Sequence, residues 1–145
     1  MKNKYEQFKS DYEKEHNDFS SKNIIWAFSD EQLNEALKKR NLTLNQFKDL
    51  YAGFYAGGAI LKSAIPEYES MSNKHYDELH YNLRNDSEFA YEAFSYELAN
   101  HEYCYTRNFS PALRSLGLSS DDINDCPLML EAFKKAEKEC RYERE

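Results

Sequence analysis

The sequence predicts an α+β fold, mainly α: a compact bundle of about six to seven helices with a small two-stranded β-pair. It is expected to form a single compact domain over residues 1–145. Three observations lead there. Apolar residues recur at helical spacing through most of the chain, helix-capping signatures punctuate it, and low glycine and proline contents argue against disorder. One short run, Asn23-Ile-Ile-Trp-Ala-Phe28, departs from helical spacing and is rich in strand formers.

Tyr5, Phe8, Tyr12 and Phe19 fall between charges at helical spacing and predict a first amphipathic helix from Lys4 to Ser20. The run at Asn23–Phe28 follows as a strand. Ser29-Asp-Glu-Gln32 is a capping box opening a helix to Arg40, with Leu33, Ala36 and Leu37 inward. Thr43-Leu-Asn-Gln46 repeats the device and opens a short helix carrying Phe47 and Leu50. Tyr51-Ala-Gly-Phe-Tyr-Ala-Gly-Gly58 holds three of the four glycines, without the spacing of a phosphate-binding loop. It is expected to turn the chain so that Gly58–Lys62 lies against the strand at Ile24–Phe28.

Pro66 suits the first turn of a long helix to Arg84, with Tyr68, Met71, His75, Leu79 and Leu83 inward. Asn85-Asp-Ser87 breaks and recaps the chain. The next helix, Glu88 to Glu102, sets Phe89, Ala90, Ala93, Phe94 and Leu98 against the core. Ser110-Pro111 starts a short helix that Gly117 ends, and Ser119-Ser-Asp-Asp122 begins one more turn. Pro127 opens the last helix, with Leu128, Phe133, Ala136 and Cys140 at helical spacing.

The charge map bears on function. The chain carries a net charge of −7, and nine acidic residues between Glu67 and Glu102 face only Lys74 and Arg84. The whole excess is local. Such a surface disfavours direct nucleic-acid binding and favours a basic protein partner. Asp77, Glu78, Glu88 and Glu92 are the expected binding carboxylates, with Tyr81, Tyr91 and Tyr96 as aromatic anchors. No apolar run approaches a membrane span, and the charged start, Met1-Lys-Asn-Lys-Tyr-Glu, is not that of a signal peptide. Cys104, Cys126 and Cys140 form neither an even set nor a CxxC pair, so reduced thiols in a soluble, cytoplasmic protein are expected.

The stretch Tyr96–Thr106, "YELANHEYCYT", gathers Glu97, His101, Glu102 and Cys104. A zinc site would need further ligands, and no HExxH, CxxC or HxxxH motif offers them. The favoured reading is a helix terminus, His101 interacting with the negative end of the helix dipole. No metal, cofactor or catalytic residue is expected. An enzyme or nucleotide-signal binder using His101, Glu102 and the glycine segment is the alternative, and a homo-oligomer joined through exposed tyrosines a further one.

Three stretches add a resemblance: "WAFSDEQLNEALKK" (Trp26–Lys39), "AGGAILKS" (Ala56–Ser63), and "YELANHEYCYT" followed by "ALRSLGLSSDDI" (Ala112–Ile123). In order and spacing they resemble a largely uncharacterised family of small proteins encoded by bacteriophages and mobile elements. That resemblance implies a host-takeover or anti-defence factor, such as an anti-CRISPR inhibitor. The implied partner is a bacterial immune effector in the host cytoplasm, foremost a CRISPR-associated nuclease. The mechanism expected from the charge map, rather than from the resemblance, is that carboxylates of the 67–102 segment occupy a basic surface meant for nucleic acid.

Overall fold

Capping chemistry sets many of the helix starts. The structure, a computed structural model, describes the backbone of residues 1–144 and the side chains of residues 1–140. Among the described residues the helices are α1 (Lys4–Asn23), α2 (Asp30–Lys39), α3 (Leu44–Leu50), α4 (Ile65–Asn85), α5 (Ser87–Asn100), α6 (Tyr103–Thr106), α7 (Ser110–Ser115), α8 (Ser120–Asn124) and α9 (Pro127–Arg144). The strands are β1 (Ile24–Trp26), β2 (Tyr51–Gly53) and β3 (Gly58–Leu61). The Ser29 hydroxyl accepts from the Gln32 N–H, while the Gln32 side chain accepts from the Phe28 N–H at 2.7 Å. Thr43 with Gln46, and Ser119 with Asp122, form complete capping boxes. Asp86 caps α5 through the Phe89 N–H at 3.1 Å.

The fold is mainly α with a small antiparallel sheet, and that sheet has three strands where the sequence predicts two. The extra strand is β2. The chain leaves α3 directly into extended backbone at Tyr51 (φ −116°, ψ 150°), with no breaker residue to announce the change. The chain divides into two compact units, Met1–Ser10 with Lys74–Glu145, and Asp11–Asn73.

In the unit Asp11–Asn73 the strand order is β1-β3-β2. Ile24 pairs with Ile60 and Trp26 with Gly58, the contact expected of the glycine segment. Ala52 pairs with Ile60 from the other side. Because side chains alternate along a strand, Ile24, Ile60 and Ala52 share one face. That face packs with Phe19, Ala64 and Met71. Gly58 permits the pairing physically: a Cβ there would lie 2.6 Å from the Trp26 ring.

In the other unit, α5 is the central element. Phe89, Ala90, Ala93, Phe94, Glu97 and Leu98 are all buried, a stripe too wide for a helix covered on one side only. Small residues at 90 and 93 let neighbours approach closely, and α5 packs along α9, where Phe94 meets Phe133 edge to face at 5.4 Å. Burying each such ring or a leucine like the fully covered Leu83 contributes about 1.5–3 kcal/mol. Gly117, with φ +68°, turns the chain out of α7, as the glycine position predicts.

Candidate functional site

The acidic segment is the starting point, and the structure sorts its members by what each carboxylate touches. Asp77, Glu78 and Tyr81 lie on the exposed side of α4. Tyr81 is 67% exposed, although most tyrosines bury the ring. Lys74 reaches Glu78 at 3.9 Å, a long surface pair of small energetic weight. Asp77 has no ion pair among the described residues. Asp77 and Glu78 are thus two neighbouring exposed carboxylates, with the Tyr81 ring about one turn further along the helix.

Glu88 and Glu92 behave differently from one another despite their four-residue spacing. Glu88 is exposed and shares the Lys4 ammonium with Asp86, each at 3.2 Å. Glu92 is half-buried, and its carboxylate accepts from the Tyr5 N–H at 3.2 Å, in the open first turn of α1. The exposed Glu88/Glu92 pair expected from spacing therefore reduces to Glu88, because the start of α1 takes the second carboxylate. Tyr91 is half-buried too: its hydroxyl donates to Glu139, and the Lys135 ammonium sits over its ring at 4.3 Å. The Glu139 hydrogen bond, with burial, raises the Tyr91 pKa. Tyr96 is 40% exposed and carries the Lys9 ammonium over its ring at 4.4 Å.

Lys9 leads to a further carboxylate of the acidic segment, Glu97, which also belongs to the helix-end motif. Glu97 is 2% exposed, the one buried charged side chain among the described residues. It accepts from Lys9 Nζ at 3.1 Å and from Ser115 Oγ at 3.0 Å. Tyr5 packs against the same group, and its phenol pKa is raised by burial first and by the Glu97 charge second. A buried carboxylate with a cation and two hydroxyls is a satisfied tie. One signal for it was present in the sequence: Glu97 continues the apolar register set by Phe89, Ala93 and Phe94. Its partners were not legible, since Lys9 lies 88 residues away.

The rest of the motif disperses. His101 is the C-cap of α5, its backbone N–H bonding to Glu97 and Ala99 carbonyls, which fits the helix-terminus reading. Glu102 takes a left-handed conformation (φ 57°) and is exposed. Cys104 is joined by a disulfide to Cys140, Cα–Cα 5.4 Å, which corrects the expectation of three reduced thiols; Cys126 is free. Two cysteines 36 residues apart meet only through the packing of α6 on α9, which spacing does not report. Among the described residues no three His, Cys, Asp or Glu side chains converge on a possible metal position. The glycine segment lies in the unit Asp11–Asn73 and His101 and Glu102 in the other. Among the described residues no helix is long and apolar enough to cross a membrane.

Comparison with curated proteins and with solved structures finds no match. A family model does match, over residues 5–139, and so spans both units and every element from the first turn of α1 well into α9. By that match the chain belongs to a family of unknown function, DUF7659.

Proposed function

We propose that this protein acts by binding another protein through the exposed Asp77, Glu78 and Tyr81 of α4, with Glu88 at the start of α5 as a further acidic contact. The observation that carries this reading is the exposure of Asp77, Glu78 and Tyr81 together, opposed only by the long contact from Lys74. Carboxylates in this arrangement attract a basic surface over several ångströms and speed its encounter. The tyrosine adds rigid contact area at small entropic cost. The resemblance to small phage and mobile-element proteins suggests the partner: a bacterial defence effector in the host cytoplasm, foremost a CRISPR-associated nuclease, whose nucleic-acid groove supplies the basic surface. The protein then inhibits by occupying that groove, and needs no catalytic residue of its own.

The test is a binding series on the effector captured from host lysate and then purified. Asp77→Lys with Glu78→Lys should weaken binding by about tenfold or more, chiefly through slower association, and wild-type affinity should fall as salt rises. Glu15→Lys with Asp18→Lys, exposed acids of α1, is the matched control and should change affinity little. Equal losses from both pairs, or wild-type affinity in the α4 variant, would refute the reading.

A further inference from the structure

The unit Asp11–Asn73 contains a pocket of about 330 Å³, at the lower end of the range for ligand sites. Its apolar lining comes from Ile25 of β1, Leu33 of α2 and Ala59 of β3, with the rings of Phe28 and Phe47. Phe47 is held in place by stacking on Tyr51, centroids 5.2 Å apart. Phe28 is 75% exposed, an unusual position for a phenylalanine ring that packing alone would draw inward. One charged residue lines the space, Asp30 at the start of α2, and it has no ion pair among the described residues.

This combination selects among ligand charges. The start of α2 would by itself favour an anion, but Asp30 and Glu31 already place two carboxylates in that first turn, so an anionic ligand is repelled. A neutral apolar ligand would gain nothing from the exposed Asp30 carboxylate, which water already solvates. A cation with an apolar stem could use both kinds of lining, its charge attracted to Asp30 and its stem set among Ile25, Leu33, Ala59 and the two phenylalanines.

We propose that this pocket takes a single cationic side chain, an arginine or lysine projecting from the partner protein. The inference rests on the reading of the chain as a binder of a basic partner and gives that partner's charge a specific receptor in the unit Asp11–Asn73. Arginine is the better fit, because its planar guanidinium stacks on aromatic faces and pairs with a carboxylate in one geometry.

The experiment uses the full chain and blocked tripeptides, acetyl-Gly-Arg-Gly-amide against the same peptide with citrulline, the uncharged analogue of nearly equal shape. Binding is followed by amide chemical shifts of Ala27, Ser29, Gly57 and Gly58. The only tryptophan, Trp26, packs on Gly58 and gives an independent fluorescence signal. Saturable shifts are expected for the arginine peptide, with the citrulline peptide about tenfold weaker or more. Asp30→Asn should remove that preference, and Phe28→Leu should weaken the arginine peptide; both sites are exposed, so the fold is retained. Equal binding of the two peptides, an unchanged preference in Asp30→Asn, or no saturable shift would each overturn the proposal. Because the probe is a peptide, its result is independent of the α4 variants: the pocket can fail while the α4 residues still bind the effector, and the reverse.

Discussion

Glu97 shows how one side chain changes category once its neighbours are known. In the sequence it is one of nine acids in a charged segment; in the fold it is a buried charge whose cation arrives from α1. Lys9 is 39% exposed, so water screens part of the pair and its contribution is below that of a fully buried one. Replacing Lys9 by methionine should still destabilise the protein by about 2–3 kcal/mol, because it leaves Glu97 buried with only hydroxyl partners. Adding Glu97→Leu to that variant should recover most of the loss, since an apolar side chain suits the α5 stripe. Urea denaturation of the two singles and the double gives the coupling energy. Additive losses would show that the two side chains do not act as a pair.

At the scale of elements, α6 is the least self-sufficient piece. It has four residues, too few to be stable alone, and both flanking caps are non-glycine residues in the left-handed region, Glu102 at φ 57° and Arg107 at φ 58°. Each such residue costs about 1–2 kcal/mol. What holds α6 is tertiary: Tyr103 is buried, its hydroxyl donates to Glu137 at 2.8 Å, and Cys104 is bonded to Cys140 on α9. A bond closing a 36-residue separation stabilises by about 3–4 kcal/mol through the unfolded chain. Reductant, or Cys104→Ser with Cys140→Ser, should lower the unfolding free energy by about that amount and speed hydrogen exchange at residues 103–106 first. An unchanged unfolding midpoint under reductant would mean the bond constrains nothing. The contrast with other elements explains what was legible. Helices announced by a Ser, Thr or Asp cap and an apolar stripe, such as α2, α3, α5 and α8, could be read locally. So could the β1–β3 pair, because Trp26 and Gly58 complement each other. β2 has a partner close by in β3, but nothing in its own residues separates it from the end of α3 or from the glycine turn, whereas α6 is determined by partners distant in sequence. The same division separates Asp77 and Tyr81, visible as exposed helical positions, from Glu92, whose hydrogen bond to the start of α1 could not be foreseen.

For the whole molecule the informative variable is pH. The chain carries a net charge of −7 near neutrality and has a pI of about 5.2, so mild acidification lowers self-repulsion and by itself favours the compact state. A loss of stability over that interval must come from particular groups. His75 is the first. It is half-buried, stacked on Phe8 at 5.2 Å and edge-on to Tyr76 at 5.1 Å. Burial lowers its pKa; Glu78 opposes the shift, while His80 and Lys9 add to it. The unfolded chain protonates this histidine near pH ~6.5, and the folded chain only at lower pH. Between those values the unfolded form binds more protons. The contribution of His75 is therefore complete above about pH 6.5 and is lost as pH falls through the folded pKa. A second loss follows from two helix caps. Asp86 is lowered chiefly by the Phe89 N–H and Asp122 chiefly by the Ser119 N–H, so each stabilises above about pH 4 and ceases to do so on further acidification. Urea midpoints measured from about pH 8 to pH 3 should fall in two stages, the first below pH ~6.5 and the second below pH ~4. His75→Phe keeps an aromatic ring against Phe8 without a titrating nitrogen, so it should abolish the first stage and leave the second. A variant profile that still falls between about pH 6.5 and 5 would assign that loss to another group and remove His75 from the account.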